Sequence, residues 1–402
     1  MVNDVNAYIK YANLQMASEA LYGKKAAGAG ATYVGELTVE NLIVGNERSS
    51  RFTASQAKTF IDEGWQVVEH KSNTATGFSG TVFKNRVTGE LVISLRSTEF
   101  ADDSARDNQA TNTLEIKEKG WAFGQIADME KWYADLQASG KLGATDRFTV
   151  TGYSLGGHLA TAFYQLREEK GEAGRIASTY TFSGAGVGLV KNGGTLSAAM
   201  DDFTAHRGKG SNAASFVNTE GAQRYTELSS KFAAGQGAQT GGPGAIKQSV
   251  DELTARLEQP IASQATRAEL QLLRDALRRM LSIANEAQRV NNGIPNTGGV
   301  AAQPVSLAAI EGASLDYQLA VLHAAQNTAP SAGLAGNTFQ AVAGRNALTS
   351  SCMRKTMMIA IKNIATCPIV TRAQGQLSSK NRKEGKAMSA LTQACQREAN
   401  HA

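Results

Sequence analysis

The stretch FTVTGYSLGGHLATAFYQL, residues 148–166, constrains the fold of this chain more than any other. Its first five residues form a short apolar run of the kind that makes a buried strand, and the residues from Leu155 onward have helical apolar spacing. A strand that turns into a helix this quickly needs small side chains at the turn, and glycines stand two positions before and two after Ser154. The stretch therefore predicts a sharp strand–turn–helix bend with Ser154 at its tip.

Strand and helix patterns alternate on both sides of this bend. Before it come two β-rich runs, Gly77–Phe83 and Glu90–Leu95, and a helix from Trp121 to Leu136. After it, IASTYTFSGAG indicates another strand. The alternation predicts an α/β fold with a mainly parallel central sheet flanked by helices.

Residues 231–309 interrupt the alternation. The glycine-rich stretch KFAAGQGAQTGGPGAIKQ is followed by two amphipathic helices separated at Pro260, and Thr266 with Glu269 predicts a capping box at the start of the second. This segment is expected to be a helical-hairpin insertion, either a lid over a site or a packing element. Residues 1–230 and 310–345 then form the main domain, and 346–402 a C-terminal extension.

The charge of the chain is concentrated in that extension. Residues 346–402 hold nine Lys or Arg against two Glu, an excess of +7, whereas the whole chain carries +5, so the first 345 residues carry −2. A basic tail with several methionines and isoleucines suits an anionic membrane surface or an acidic partner protein, and the alternative is a solvated extension. The acidic body, and a tail without aromatic residues among its charges, argue against nucleic-acid binding.

Composition excludes several other classes. The three cysteines, Cys352, Cys367 and Cys395, are too few and too clustered for a disulfide-built fold. No apolar run approaches the roughly 18 residues of a membrane-spanning helix, so a soluble or peripheral protein is expected. The N-terminus lacks the pattern of a secretory signal, which predicts a cytoplasmic protein or export by a signal-independent bacterial route.

Ser154 has the surroundings of a nucleophile. A nucleophilic serine needs an exposed oxygen, a base to take its proton and amide donors for the oxyanion. Gly152 and Gly156 allow a strand to turn into a helix beneath such an oxygen. Because the five-residue motif also occurs by chance in glycine-rich chains, an ordinary turn serine is the alternative.

The stretch TVTGYSLGGHLA resembles the nucleophile elbow of the class 3 lipase family, which includes fungal-type triacylglycerol lipases and bacterial phospholipases A1. Shorter segments resemble that family in the same order: LVISLRSTE its oxyanion strand, STYTFSGAGVG the strand after the nucleophile helix, SFVNTEGAQRY the strand that carries the acid, and AVLHAAQ the histidine segment. They run from about Gly77 to His323, interrupted by the insertion. The resemblance implies an α/β-hydrolase fold.

The resemblance also implies roles for individual residues. Ser154 would be the nucleophile, and the backbone amides of Thr98 and Leu155 would form the oxyanion hole. The Leu155 amide suits this role because a helix start leaves amide donors unpaired. Ser97 stands where the family usually has glycine, a departure that bears on the geometry of this turn.

His323 is the base that the resemblance implies, and it fits the order serine, acid, histidine of α/β hydrolases. Glu220 is the implied acid, in place of the usual aspartate, because it is the only carboxylate in SFVNTEG. Asp202 and His206 are the alternative acid and base. His158, one helical turn after the serine, is expected to pack beneath or beside the elbow.

These features predict a serine carboxylic ester hydrolase that acts on lipid esters, as a lipase or phospholipase A1, through an acyl-enzyme. No metal or organic cofactor is implied, and the acidic run DDSARD, residues 102–107, is expected to be a solvated loop. The expected partners are a lipid or phospholipid ester substrate, an anionic membrane and an accessory protein, with no nucleic acid. The alternative is a catalytically silent binding protein on the same fold.

Overall fold

The computed structural model describes residues 5–20, 32–35, 37–45, 51–99, 104–232, 242–261, 263–293 and 305–331. The basic tail predicted at 346–402 and the three cysteines lie outside the described residues. Within the described part of the chain, no helix is long and apolar enough to cross a bilayer.

In the part of the chain that the structure describes, six strands form the central sheet, in the spatial order β1 to β6. Their bounds are β1 Thr32–Gly35, β2 Trp65–Lys71, β3 Gly80–Asn85, β4 Leu91–Leu95, β5 Phe148–Tyr153 and β6 Ile176–Phe182. The pairs β1–β2, β2–β3 and β3–β4 are antiparallel, whereas β4–β5 and β5–β6 are parallel. The sheet is therefore mixed rather than mainly parallel, because short connections join β2 to β3 to β4 and only β4, β5 and β6 are joined by helical crossovers.

The described residues also form ten α-helices, one π-helix and two further short strands. The α-helices are α1 Val5–Ser18, α2 Val39–Val44, α3 Ala54–Asp62, α4 Phe123–Ala138, α5 Leu155–Glu169, α6 Leu196–His206, α7 Thr219–Lys231, α8 Gly242–Glu258, α9 Gln264–Asn291 and α10 Leu315–Ala324. The π-helix is Ser104–Lys117, and β7 Leu189–Val190 pairs with β8 Thr328–Ala329.

Alternate residues of β4 and β5 face helices on opposite sides of the sheet. Ile93 and Val150 lie in a core built with α4 and α5. Their neighbours face α1: Ser94 Oγ donates to Ser18 Oγ at 2.9 Å, and Thr151 Oγ1 donates to the α1 backbone at 3.4 Å. Because successive strand residues point to opposite faces, the sheet is the middle of three layers.

Helices α8 and α9 form the predicted helical hairpin, but α9 begins earlier than predicted. Ser263 caps it, since its hydroxyl accepts from Thr266 N at 3.3 Å. The predicted capping box of Thr266 and Glu269 is therefore wrong, and Glu269 contacts α7 instead.

The hairpin shares its hydrophobic core with the helices that flank it in sequence. Leu253 of α8 and Leu277 of α9 lie in one buried cluster with Tyr225 of α7 and Leu319 of α10. The following turns of α9 pack Ile283 into a second cluster with the π-helix. The hairpin predicted at 231–309 is thus packed against the rest of the described chain, and its role as a lid stays a prediction.

The π-helix replaces part of the loop expected at 102–107. Asp107 is buried, and its Oδ1 accepts from Gln125 Nε2 at 2.7 Å. Thr111 and Glu115 follow at four-residue spacing and are buried as well. The expectation of a solvated loop is wrong for residues 104–107, because their polar groups find partners inside the protein.

Candidate active site

Ser154 lies at the tip of a tight bend between β5 and α5. Its backbone has φ 52° and ψ −114°, a conformation that residues other than glycine rarely adopt. Two backbone hydrogen bonds hold the bend: Ser154 N donates to Phe182 O at 3.0 Å, and Ser154 O accepts from Ala185 N at 3.0 Å. The predicted strand–turn–helix bend is confirmed.

Gly152 and Gly156 make this bend sterically possible. A Cβ on Gly152 would overlap the carbonyl oxygen of Gly156. A Cβ on Gly156 would overlap the carbonyl oxygen of Leu95, at the end of β4. The first turn of α5 therefore lies directly against the turn that follows β4, a contact that only glycine permits.

Three polar groups, one at the bend and two in the adjoining backbone, have no hydrogen-bond partner among the described residues. The Ser154 side chain is partly exposed, and its hydroxyl has no hydrogen-bond partner among the described residues. In the same part of the chain, Thr98 N and Leu155 N donate to no other residue. The first turn of α5 and the turn after β4 lie against each other at Gly156, so a hydroxyl and two amides without partners among the described residues occur on adjoining turns. These are the groups that acyl transfer requires as a nucleophile and its oxyanion hole.

The turn after β4 is buried, although it holds charged residues. Arg96, Ser97, Thr98 and Glu99 are each at most 7% exposed. Ser97, which replaces the glycine of the resembled family, fits without a positive φ. The hydroxyl of Thr98 accepts from Asn112 Nδ2, on the π-helix, at 2.9 Å. The turn is thus fixed by the elements around it.

His158 packs beneath the elbow, as predicted. Its Nε2 accepts from Ala122 N at 3.1 Å, and its Nδ1 donates to Gly186 O. Complete burial lowers its pKa to about 4, with the bond to Gly186 opposing the shift. Both ring nitrogens of His158 are hydrogen-bonded, so neither can accept the proton of Ser154. His158 therefore has a structural role at the elbow.

His206 and His323 lie together at the ends of α6 and α10. Their rings stack with centroids 4.3 Å apart and planes at 17°. His206 Nδ1 donates to Asp202 O at 2.9 Å and lies 3.3 Å from Asp202 Oδ1. His323 Nε2 is buried and has no hydrogen-bond partner among the described residues. The structure thus brings together the predicted base and both alternative residues.

Burial lowers the pKa of His323 below its ordinary value, and the neighbouring His206 lowers it further. The Asp202 carboxylate opposes this shift, since its negative charge stabilises the imidazolium form. His323 is therefore neutral near pH 7 and has a carboxylate close enough to stabilise a proton once it arrives.

Ring and backbone contacts link the histidine pair to the elbow. Phe203, one turn before His206, stacks on Phe123 with centroids 5.8 Å apart. The adjacent Ala122 donates to His158, which lies one turn into α5. Among the described residues, no hydrogen bond joins the serine hydroxyl to either imidazole of the pair.

Glu220 lies in a different ion pair. The segment expected to be a strand is a loop followed by α7, and Glu220 sits in the first turn of that helix. Arg256 Nε and Nη2 donate to its two oxygens at 2.6 and 2.9 Å. The strand prediction is wrong because the loop is held by Glu269, which accepts from Val217 N and Asn218 N at the start of α7.

A scan against protein-family models finds no model that matches this chain, and a search of curated proteins finds no match either. The resemblance to class 3 lipases therefore rests on the short segments quoted above and on the elbow.

Proposed function

We propose that this chain is a serine carboxylic ester hydrolase with an α/β-hydrolase fold. The observation that carries the proposal is the backbone of Ser154, held at φ 52° between β5 and α5, with amides at Thr98 and Leu155 that bind no described residue. A strained conformation at a residue other than glycine costs about 1–3 kcal/mol and persists where the surrounding structure enforces it. In this proposal the strained backbone holds the Ser154 hydroxyl at the tip of the bend, where a substrate can reach it.

In this proposal Ser154 Oγ attacks the ester carbonyl carbon while a base removes its proton. The amides of Thr98 and Leu155 hold the oxyanion of the tetrahedral intermediate. Collapse expels the alcohol, which takes the proton from the imidazolium, and leaves an acyl-enzyme. Water, deprotonated by the same imidazole, then releases the carboxylic acid.

His323 is the proposed base, and Asp202 the proposed acid. The ring of His323 has an unpaired Nε2 and is neutral near pH 7, so it can accept a proton. Asp202 is the carboxylate whose charge favours its protonated form. The chain order Ser154, Asp202, His323 keeps the order of α/β-hydrolase triads. Glu220 is given no catalytic role because both its oxygens are bound by Arg256.

Lipid esters are the proposed substrates, on the strength of the resemblance to class 3 lipases. The same resemblance supports action as a lipase or as a phospholipase A1. The basic residues 346–402 would favour contact with an anionic membrane or an accessory protein, because opposite charges attract.

The test is product analysis on three substrates: phospholipid vesicles, a triacylglycerol emulsion and a short-chain ester. We expect the full chain to release fatty acid from at least one lipid, and Ser154→Ala to release none above background. Release of the 1-acyl group of a phospholipid would identify a phospholipase A1. Equal activity of wild type and Ser154→Ala, or no activity on any of the three, would refute the proposal and favour a silent binding protein.

A further inference from the structure

Three consecutive amides in the turn after β4 have different partners. Ser97 N donates to Glu19 Oε1 at 3.0 Å, and Glu99 N donates to Asp107 Oδ2 at 2.8 Å. Thr98 N, which lies between them, donates to no described residue. The amides of Ser97 and Glu99 are thus hydrogen-bonded to carboxylates, and the Thr98 amide between them is not bound by any described residue.

The two acceptors come from separate parts of the chain and are both buried. Glu19 follows α1 directly, and its side chain has no solvent exposure. Asp107 belongs to the π-helix and is 2% exposed. Each is fixed by a further donor: Gln15 Nε2 lies 2.5 Å from Glu19 Oε1, and Gln125 Nε2 lies 2.7 Å from Asp107 Oδ1.

The buried charges around this turn form one ionic group. Arg96 Nη2 lies 2.7 Å from Glu99 Oε1, and Arg96 Nε lies 3.8 Å from Glu19 Oε2. Burial raises the pKa of Glu19, while the charge of Arg96 and the amide of Ser97 oppose the rise. Burying several ionisable groups is costly, and an apolar turn would often be at least as stable. Stability alone therefore does not explain carboxylates at these positions.

We infer that Glu19 and Asp107 are positioning residues that fix the turn after β4 so that the Thr98 amide faces the oxyanion formed at Ser154. This inference rests on the proposed function. With both neighbouring amides bound, a displacement of the turn that moves Ser97 N or Glu99 N breaks a buried hydrogen bond. Such preorganisation matters because a misplacement of about 1 Å can lower a rate about 100-fold.

Through Glu19, the N-terminal helix α1 takes part in positioning the Thr98 amide. Helix α1 packs on the sheet face opposite α5, yet Glu19 at its end reaches the turn beside the elbow. Together, α1 and the π-helix hold that turn from two directions. No feature of the primary sequence marks either carboxylate as part of the site.

Matched substitutions separate the hydrogen-bond acceptor from the charge. Glu19→Gln and Asp107→Asn keep an oxygen acceptor, whereas Glu19→Met and Asp107→Leu remove it, and all four lose the charge. We expect Glu19→Met and Asp107→Leu to lower kcat about 100-fold with KM within about threefold of wild type. The Gln and Asn variants should retain kcat within about tenfold. Folded Met and Leu variants with wild-type kcat would overturn the inference.

Residue-resolved amide hydrogen exchange on the wild-type chain tests whether Glu19 and Asp107 hold the Ser97 and Glu99 amides, without relying on activity. Ser97 and Glu99 should be protected, and Thr98 should exchange at least about tenfold faster. A Thr98 amide as protected as its neighbours would overturn the inference, even if every variant failed to fold.

If Ser154→Ala retained activity, the proposed function would fail whatever the exchange pattern showed. If Ser154→Ala were inactive while Glu19→Met and Asp107→Leu were fully active, only the positioning role of Glu19 and Asp107 would fail.

Discussion

The imidazole rings of His206 and His323 stack at 4.3 Å, although 117 positions separate the two residues in the sequence. His206 lowers the pKa of His323 and adds to the effect of burial, so the neutral form of the His323 ring is favoured. A base that stays neutral below its ordinary pKa remains competent in mildly acidic conditions.

Replacing His206 with Phe should keep the ring contact and remove the effect of the His206 imidazole on the pKa of His323. The pKa of His323, which burial and His206 now lower, should then rise towards 6.5. Since the neutral ring is the active form, the acidic limb of the kcat/KM profile should move to higher pH. A pH profile of wild type and His206→Phe measures this shift. An unchanged limb would show that His323 does not control it.

Asp202→Asn should lower kcat about 100-fold or more, because the carboxylate that favours the His323 imidazolium is lost. The control is Glu220→Gln, which should leave kcat within about twofold, since Glu220 binds Arg256 rather than an imidazole. That control should cost at most about 1 kcal/mol of stability, the range of a partly exposed ion pair. A large loss of kcat in Glu220→Gln with normal kcat in Asp202→Asn would return the acid role to Glu220.

Glu115 makes the stability of the fold dependent on pH. Complete burial raises its pKa from 4.5 to about 7, although the Tyr317 hydroxyl, Arg279 and the Gly124 amide oppose the shift. Because the folded state favours the protonated carboxyl, protonated Glu115 adds to the free energy of unfolding. This contribution is complete below pH 4.5 and is lost as pH rises towards 7. The loss is about 3 kcal/mol.

Glu115→Gln should remove this contribution. Urea unfolding between pH 5 and 8 would show a free energy of unfolding that falls with pH in wild type and falls less in Glu115→Gln. Parallel pH dependences in the two proteins would mean that Glu115 ionises normally in the folded state.

Gly156→Ala should destabilise the fold by about 2–4 kcal/mol, because its Cβ would overlap the carbonyl oxygen of Leu95. Gly174→Ala is the matched control, since Gly174 has open space around it and no positive φ. The control should change the free energy of unfolding by less than about 1 kcal/mol. Equal effects of the two substitutions would contradict the close contact between α5 and β4.

Local pattern accounts for what the sequence predicted correctly. The bend at Ser154 was predictable because strand spacing, helix spacing and two glycines occur within a few residues. The β3–β4 hairpin and α4 follow from equally local signals, with bounds that differ by a few residues. The proportion of antiparallel pairs was underestimated because β1 and β2 carry weak strand signals.

Contacts between distant residues account for what the sequence could not predict. The bond from Ser97 N to Glu19 spans 78 positions, and the pair of Arg256 with Glu220 spans 36. Asp107 lies in an acidic run that is typical of a solvated loop, and only the packing of the π-helix buries it. Glu269 fits the spacing of a capping residue for its own helix, yet it binds the start of α7 because that helix lies beside it.

Fluorophosphonate labelling followed by peptide mass spectrometry tests the central claim most directly. A serine activated by a base and an oxyanion hole reacts with this reagent, whereas an ordinary turn serine does not. We predict one adduct on Ser154 in the folded full-length chain, and its loss when the protein is first unfolded in urea. A folded chain that carries no adduct on Ser154 after prolonged exposure would contradict the account.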